Sequence, residues 1–166
     1  MIASGNDFTR GERAHAAAAA LRLLNRRDYA REELRRRLLE KGHPEADVAA
    51  ALDRVAAMGY LDDVRFAALV AESAFRNKGW GPARIVRALT RRGVDPETAA
   101  AAVAPYRDEE AETARAADLL MRRARATGDG ADAGATRRAR QYLLRRGFSA
   151  GAVTAAVREL KRVSMA

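Results

Sequence analysis

A motif that ends in glycine occurs three times in this chain, and it limits the possible folds more than any other feature. The three glycines are Gly42, Gly93 and Gly147, which lie 51 and 54 residues apart. A leucine stands four residues before each glycine, and a lysine or arginine stands immediately before it. Mostly apolar side chains follow at matching positions six, ten and thirteen residues later. Self-similarity at such a period predicts a repeat protein.

The middle copy of the motif indicates a short helix with a defined start and end. Pro82 suits the first position of a helix, where the missing N–H has no partner to lose. Trp80 and Ile85 have the spacing of a hydrophobic staple across that start. Ile85 and Leu89 form an apolar pair on one face, and Gly93 ends the helix. The same analysis over the whole chain predicts nine helices in three groups of three, and therefore an all-α fold.

The repeats divide the chain into four parts. We expect a disordered N-terminal lead at 1–13, followed by three-helix repeat 1 at 14–61, repeat 2 at 62–107 and repeat 3 at 108–166. Within repeat 3, the stretch Thr127–Ala135 contains three glycines, which favours a flexible loop.

Composition indicates the compartment. The chain has no cysteine, which excludes disulfides and thiolate metal sites and fits a reducing environment. We find no apolar core of a signal peptide and no run of about 18 apolar residues that could span a membrane. We therefore expect a soluble, cytoplasmic protein.

The formal net charge of +9 indicates an anionic partner, either nucleic acid or an acidic protein surface. A GC-rich coding bias is the alternative explanation for the many arginines. It accounts for the choice of arginine over lysine, but it does not account for the excess of positive charge.

Each middle helix carries a stripe of side chains at nine, six and two positions before its glycine. In repeat 1 the stripe is acidic on balance, with Glu33, Arg36 and Glu40. In repeats 2 and 3 it is basic, and a further arginine directly precedes each glycine. Solvated faces with internal ion pairs are the alternative interpretation. The candidate residues for contact with a filament or DNA are Arg84, Arg87, Arg91, Arg92, Arg138, Arg145 and Arg146.

No pattern of a catalytic or metal site is present in the sequence. The two histidines, His15 and His43, lack the spacing of metal ligands on a helix. We find no phosphate-binding loop, nucleophile elbow or zinc-binding helix pair. We therefore expect a binding protein rather than an enzyme, without a metal or a cofactor.

Five stretches together resemble the RecX family of bacterial proteins that regulate the RecA recombinase. The resemblance covers about Ala14 to Leu160. One departure is Ala30, where the family often has a helix-capping serine, so we expect Asp28 to cap that helix or the helix to fray. The matching stretches are Glu33–Gly42, Gly59–Asp63, Arg76–Pro82, Arg92–Val94 and Arg145–Phe148.

The resemblance implies tandem three-helix repeats in an elongated, curved array. It also implies a negative modulator that binds along the groove of the RecA–DNA filament and inhibits the recombinase, ATPase and co-protease activities of RecA. Such a protein acts in DNA repair, recombination and the SOS response. The implied partners are the RecA filament and DNA, within the filament or directly, and we expect a monomer.

A direct DNA-binding protein built from helix-turn-helix-like units is the alternative function. The short turn around Gly93 fits that geometry. The third helices of repeats 2 and 3 argue against it, because they consist mainly of alanine and valine rather than of side chains that recognise bases. Co-sedimentation with RecA filaments and with bare DNA separates the two functions.

Overall fold

The computed structural model describes residues 5–127 and 133–164, and these residues form nine α-helices and one 3₁₀ turn without any strand. The all-α prediction is thus confirmed. None of the described helices has both the length and the apolar character needed to cross a membrane. The elements are α1 (Gly5–Leu24), α2 (Arg31–Glu40), α3 (Glu45–Ala57), α4 (Asp63–Arg76), α5 (Pro82–Arg91), α6 (Pro96–Val103), the 3₁₀ turn (Ala104–Tyr106), α7 (Glu109–Thr127), α8 (Ala133–Arg145) and α9 (Ala150–Ser164).

The three aligned glycines end α2, α5 and α8 in the same way. Each lies two residues after the last helical residue and has a positive φ, of 84° at Gly42, 90° at Gly93 and 85° at Gly147. The N–H of the next residue donates to the carbonyl of the leucine five residues back, at 3.2–3.3 Å in all three copies. This hydrogen bond is the signature of the Schellman motif, which satisfies carbonyl groups at a helix end. The repeated helix end predicted from the sequence is confirmed.

Two helices start earlier than expected. α1 begins at Gly5, so residues 5–13 are helical rather than the disordered lead that we expected. No proline interrupts this stretch, and extending an existing helix costs less than nucleating one. α8 begins at Ala133 rather than in the region of Thr136, because alanine is the strongest helix former. Residues 128–132, the rest of the expected flexible loop, lie outside the described residues.

The chain divides into two compact units. The first consists of the residues up to Ala67 together with Leu89–Thr98, and the second consists of Ala68–Ala88 together with Ala99–Ala166. Residues of the predicted repeat 2 occur in both units, and the division into three repeats stays a prediction.

The core of the first unit is formed by α1, α2 and α3, and α1 packs along α3. Alanines on α1 allow close approach, and larger aliphatic side chains on α2 and α3 fill the space between the helices. The predicted inward positions on α2 and α3 are confirmed as buried. The core residues are Ala19, Ala20, Tyr29, Leu34, Leu38, Val48, Leu52, Val55 and Leu61.

The second unit is built around α7, which packs along α9, while α8 also packs against α9. Leu120 on α7 and Leu143 on α8 are almost fully buried. The ring of Phe75 stacks on Tyr106 with 4.6 Å between ring centroids, which closes α4 against the 3₁₀ turn.

Candidate contact surfaces

The seven arginines selected from the sequence do not share one environment. Four of them are exposed, namely Arg87, Arg91, Arg138 and Arg145. The other three are partly buried, namely Arg84, Arg92 and Arg146. The exposed four are accessible from solvent, and the partly buried three contact other parts of their own unit.

Arg92 in the first unit holds the turn after α5 against the start of α2. Its Nε donates to Glu33 Oε2 at 3.0 Å, and a terminal nitrogen donates to the Asp28 carbonyl at 3.1 Å. Its guanidinium carbon lies 4.3 Å from the centroid of the Phe66 ring, a cation–π contact. Arg92 is therefore a positioning residue within the first unit.

Glu33 is not part of a solvated stripe, so that interpretation of repeat 1 was wrong. Its side chain is only 15% exposed and accepts hydrogen bonds from both Arg27 and Arg92. Burial alone would raise the pKa of Glu33, but the hydrogen bond from Arg27 and the charge of Arg92 outweigh it and lower the pKa below its ordinary value. Arg36 of the same stripe donates to the Arg91 carbonyl at 3.2 Å. The turn after α5 thus covers this face of α2.

The start of α2 is capped by a residue that sequence analysis did not select. The side chain of Ala30 makes no capping bond, and the Arg31 N–H instead donates to Asp63 Oδ1 at 2.8 Å. Burial raises the pKa of the Asp63 carboxyl, although the hydrogen bond from Arg31 opposes this. The cap comes from the first residue of α4 and not from Asp28, so local sequence could not identify it.

Arg146 in the second unit fixes the loop between α4 and α5. One terminal nitrogen donates to the carbonyls of Lys78 and Gly79, at 2.5 and 3.1 Å. Gly79 has a φ of 61°, and a Cβ there would lie 2.7 Å from Leu119 Cδ2 on α7. Glycine suits both this positive φ and the close approach of the loop to Leu119 on α7. Arg146 and Arg92 both precede a repeat glycine, and both bind backbone of an earlier loop.

The turn at Gly147 packs directly on the first residues of α5. The Gly81 N–H donates to the Arg146 carbonyl at 2.7 Å, and the Ala83 N–H donates to the Gly147 carbonyl at 3.2 Å. A Cβ on Gly81 would lie 2.4 Å from the carbonyl carbon of Gly147. These bonds satisfy N–H groups at the start of α5 that have no partner within the helix. From the sequence, Gly81 was interpreted only as part of a helix start. A glycine at this position could have indicated a close approach of another backbone segment.

Arg84 lies over the ring of Trp80, with its guanidinium carbon 4.4 Å from the ring centroid. Lys78 lies over the same ring at 5.2 Å. Ile85, the expected staple partner, is fully buried, whereas Trp80 is partly exposed. Lys78 was not among the residues selected from the sequence. Its position two residues before the only tryptophan could have indicated this contact.

A cleft of about 510 Å³ in the second unit holds two acids, and one of them has a structural role. Glu112 is 5% exposed, and its Oε1 accepts the Ser149 N–H at 2.7 Å at the start of α9. Arg107 and Glu109 line the same cleft. No group of three or more acidic or histidine side chains that could hold a metal ion occurs among the described residues.

Comparison with known proteins identifies the family. Two family models match, for the first three-helix domain of RecX over residues 16–54 and for the second over residues 62–103. Regulatory protein RecX of Xanthomonas oryzae pv. oryzae is 40% identical over 139 residues, which cover 84% of each chain. The chain belongs to the RecX family. Regulatory protein RecX of Acidithiobacillus ferrooxidans is 46% identical over 90 residues, which cover 52% of this chain and 59% of that protein.

Solved RecX structures have the same fold as this chain. The crystal structure of RecX from Lactobacillus salivarius superposes with a TM-score of 0.81 at 20% identity and covers 92% of this chain and 99% of its own. A second crystal structure of regulatory protein RecX gives a TM-score of 0.79 at 19% identity, over 96% of this chain and 79% of its own. The RecX resemblance drawn from the sequence is confirmed.

Proposed function

We propose that this RecX protein is a negative modulator of RecA that binds along the groove of the RecA–DNA filament. In doing so it inhibits the recombinase, ATPase and co-protease activities of RecA, and it acts in DNA repair and the SOS response in the cytoplasm. The observation that carries this proposal is the 40% identity, over 84% of both chains, to a protein named regulatory protein RecX. The protein acts by binding, as a monomer, and not as an enzyme.

The exposed arginines are the proposed contact residues. Arg91 and Arg145 occupy the same position, two residues before a repeat glycine, and both are exposed. Arg87 and Arg138 are exposed on the same two helices. Long cationic side chains in water are suited to an acidic protein surface or to phosphates. Arg84, Arg92 and Arg146 serve first to position loops, as their hydrogen bonds and ring contacts indicate.

The three proposed repeats, at 14–61, 62–107 and 108–166, suit a polymeric partner. A filament presents the same surface at regular intervals, so similar units can contact it in succession. Each further contact is then intramolecular and raises the overall affinity without any new type of contact.

Co-sedimentation tests the proposal. The full chain should pellet with RecA–DNA filaments, and the double variant Arg91→Glu, Arg145→Glu should bind them at least tenfold more weakly. Repeat 1 already carries Glu40 at the equivalent exposed position, so the fold tolerates an acid there.

The matched control is Arg22→Glu with Arg158→Glu, which makes the same charge change at exposed positions on α1 and α9. The control should bind within about twofold of the unaltered chain. Equal loss in both double variants would assign binding to total charge and contradict the proposed contacts. A folded chain that fails to pellet with filaments contradicts the proposed function itself.

A further inference from the structure

Three exposed apolar side chains lie close together in the sequence of the first unit. Met58, Tyr60 and Val64 are 49%, 55% and 68% exposed, and they lie within seven positions where α3 ends and α4 begins. We call these three residues the apolar turn. Among the described residues, six large apolar side chains are about half exposed or more, so half of them fall in this one segment. Such a concentration is typical of a contact site, whereas single exposed apolar residues are not.

The fold does not bury the Tyr60 ring, although it buries the equivalent side chains of two other turns. Gly59 has a φ of 77°, and the Tyr60 N–H donates to the carbonyl five residues back at 3.0 Å, so α3 also ends in a Schellman motif. After α5 and α8, the residues that follow the glycine are Val94 and Phe148, which are 2% and 4% exposed. At the same position Tyr60 is 55% exposed. The core therefore gains little from this ring.

Hydrogen bonds and one buried side chain hold the apolar turn in a fixed conformation. Leu61 is 8% exposed and belongs to the core of the first unit. Asp62 Oδ1 accepts the Arg65 N–H at 2.9 Å, and the Arg65 side chain donates to the Gly59 carbonyl at 3.2 Å. Tyr60 thus lies between anchored residues on both sides. A group that is held in place before binding loses less conformational entropy when it binds.

The charge around the apolar turn suits a protein rather than a nucleic acid. Residues 53–65 contain three acids and two arginines, a net charge of −1, in a chain whose net charge is +9. Asp53 and Asp62 are exposed, and their carboxylates repel phosphates. Tyrosine and methionine are enriched in protein–protein interfaces, and tyrosine is among the side chains that contribute most to binding.

The size of the apolar turn argues against a second copy of the chain as its partner. A stable interface buries about 800 Å² on each side and includes about 20–30 residues. Three side chains supply only a small part of such an area. The partner must therefore also be held by contacts elsewhere on the chain, and the exposed arginines proposed to contact the filament provide them.

We propose that the apolar turn docks into an apolar pocket on a RecA protomer of the filament, with the Tyr60 ring as its anchor. This inference rests on the proposed function and adds an apolar contact to the electrostatic ones. The two kinds of contact respond differently to salt, because salt screens exposed charges and does not weaken apolar burial.

The experiment measures the affinity of the full chain for RecA–DNA filaments at a low and a high salt concentration. Tyr60→Ser with Val64→Ser should weaken binding at least tenfold at both concentrations. The loss caused by Arg91→Glu with Arg145→Glu should instead become smaller as the salt concentration rises. Tyr60→Phe, which keeps the ring, should bind within about threefold of the unaltered chain.

The matched control is Leu69→Ser with Val163→Ser, which removes apolar side chains that are 52% and 54% exposed. It should bind filaments within about twofold of the unaltered chain. Equal losses in the control and in the Tyr60, Val64 pair would overturn the proposal, because any exposed apolar side chain would then have the same effect. The melting temperature of both pairs should stay close to that of the unaltered chain, since none of the four side chains is buried.

Two further measurements test other partners of the apolar turn. Bare single-stranded DNA should bind the Tyr60, Val64 pair as tightly as the unaltered chain, and a loss there would assign the ring to base stacking and overturn the proposal. Sedimentation without RecA should show no self-association that the substitutions abolish; if it does, the partner is a second copy.

The outcomes separate this inference from the proposed function. If the unaltered chain binds filaments and the Tyr60, Val64 pair binds them equally well, the docking contact is wrong and the proposed function stands. If the unaltered, folded chain does not bind filaments, both are wrong.

Discussion

Alanine substitution of the aligned glycines should have unequal effects, because the glycines share a backbone conformation but not their surroundings. In the first unit, Gly42 and Gly93 have φ angles of 84° and 90°. A Cβ on Gly42 would meet nothing within 4 Å. A Cβ on Gly93 would lie 2.6 Å from Glu32 Cβ and 2.9 Å from its Cγ. The strain of a positive φ is common to both sites, and the steric conflict occurs only at Gly93.

The expected magnitudes follow from these two contributions. Gly42→Ala should lower the free energy of unfolding by about 1 kcal/mol, the cost of a left-handed alanine. Gly93→Ala adds an overpacking cost of about 2 kcal/mol, for a total of about 3 kcal/mol. In the second unit, Gly147→Ala should also cost about 3 kcal/mol or more, because its Cβ would lie 2.5 Å from the Arg84 backbone nitrogen. Gly151→Ala is the control and should stabilise α9 by about 0.5 kcal/mol, since its Cβ would meet nothing within 4 Å.

Urea unfolding measures these differences with two signals. Far-UV circular dichroism follows the helices of both units, and the fluorescence of the only tryptophan, Trp80, follows the second unit. Because the chain has two compact units, Gly93→Ala is compared with Gly42→Ala in the first unit, and Gly147→Ala is compared with Gly151→Ala in the second. The reasoning is refuted if Gly93→Ala lowers the free energy of unfolding no more than Gly42→Ala does. It is also refuted if Gly147→Ala costs only the roughly 1 kcal/mol of a left-handed alanine.

Three further predictions concern single contacts, and urea unfolding checks each of them. Glu33 has a lowered pKa in the folded chain, so the stability it contributes is present above the ordinary pKa of glutamate and is lost as the pH falls through the folded value. Glu33→Gln should therefore remove this part of the acid sensitivity. An unchanged dependence of stability on pH in this variant would contradict the hydrogen bonds assigned to Glu33. Arg115→Gln should lower the free energy of unfolding by about 2 kcal/mol, because the Arg115 side chain is only 17% exposed and its Nε donates to the Phe75 carbonyl. A cost near zero would argue against this hydrogen bond. Glu112→Ala should cost about 1 kcal/mol by leaving the partly buried Ser149 N–H without its acceptor, whereas Glu112→Gln, which retains an oxygen, should cost less than this.

Local sequence was sufficient to predict the helices and the glycine-ended C-termini of α2, α5 and α8. The Schellman motif depends on a leucine, a glycine and the residue after it, all within six positions, so the pattern around Gly93 predicts its own geometry. Apolar spacing likewise identified Leu38 and Leu89 as buried. These interactions stay within one helix and its turn, and the sequence specifies them directly.

The contacts between distant segments could not be predicted in the same way. Helical periodicity shows which side chains of α2 point away from their own core, but it does not show that Arg92, 59 positions beyond Glu33, covers that face. The cap from Asp63 on the Arg31 N–H is also non-local, 32 positions along the chain. The loop at Gly79 required a structure for the same reason. The positioning roles of Arg84, Arg92 and Arg146 therefore had no local signature that distinguished them from exposed arginines.

The rate of ATP hydrolysis by RecA on single-stranded DNA tests the central claim most directly. Titration with the full RecX chain should lower this rate progressively, and the Arg91→Glu, Arg145→Glu variant should require at least tenfold more protein for the same inhibition. The variant's melting temperature, compared with that of the unaltered chain, confirms that it is folded. A rate that stays unchanged when folded, unaltered chain is added in excess over RecA would contradict the proposal that this protein is a negative modulator of RecA.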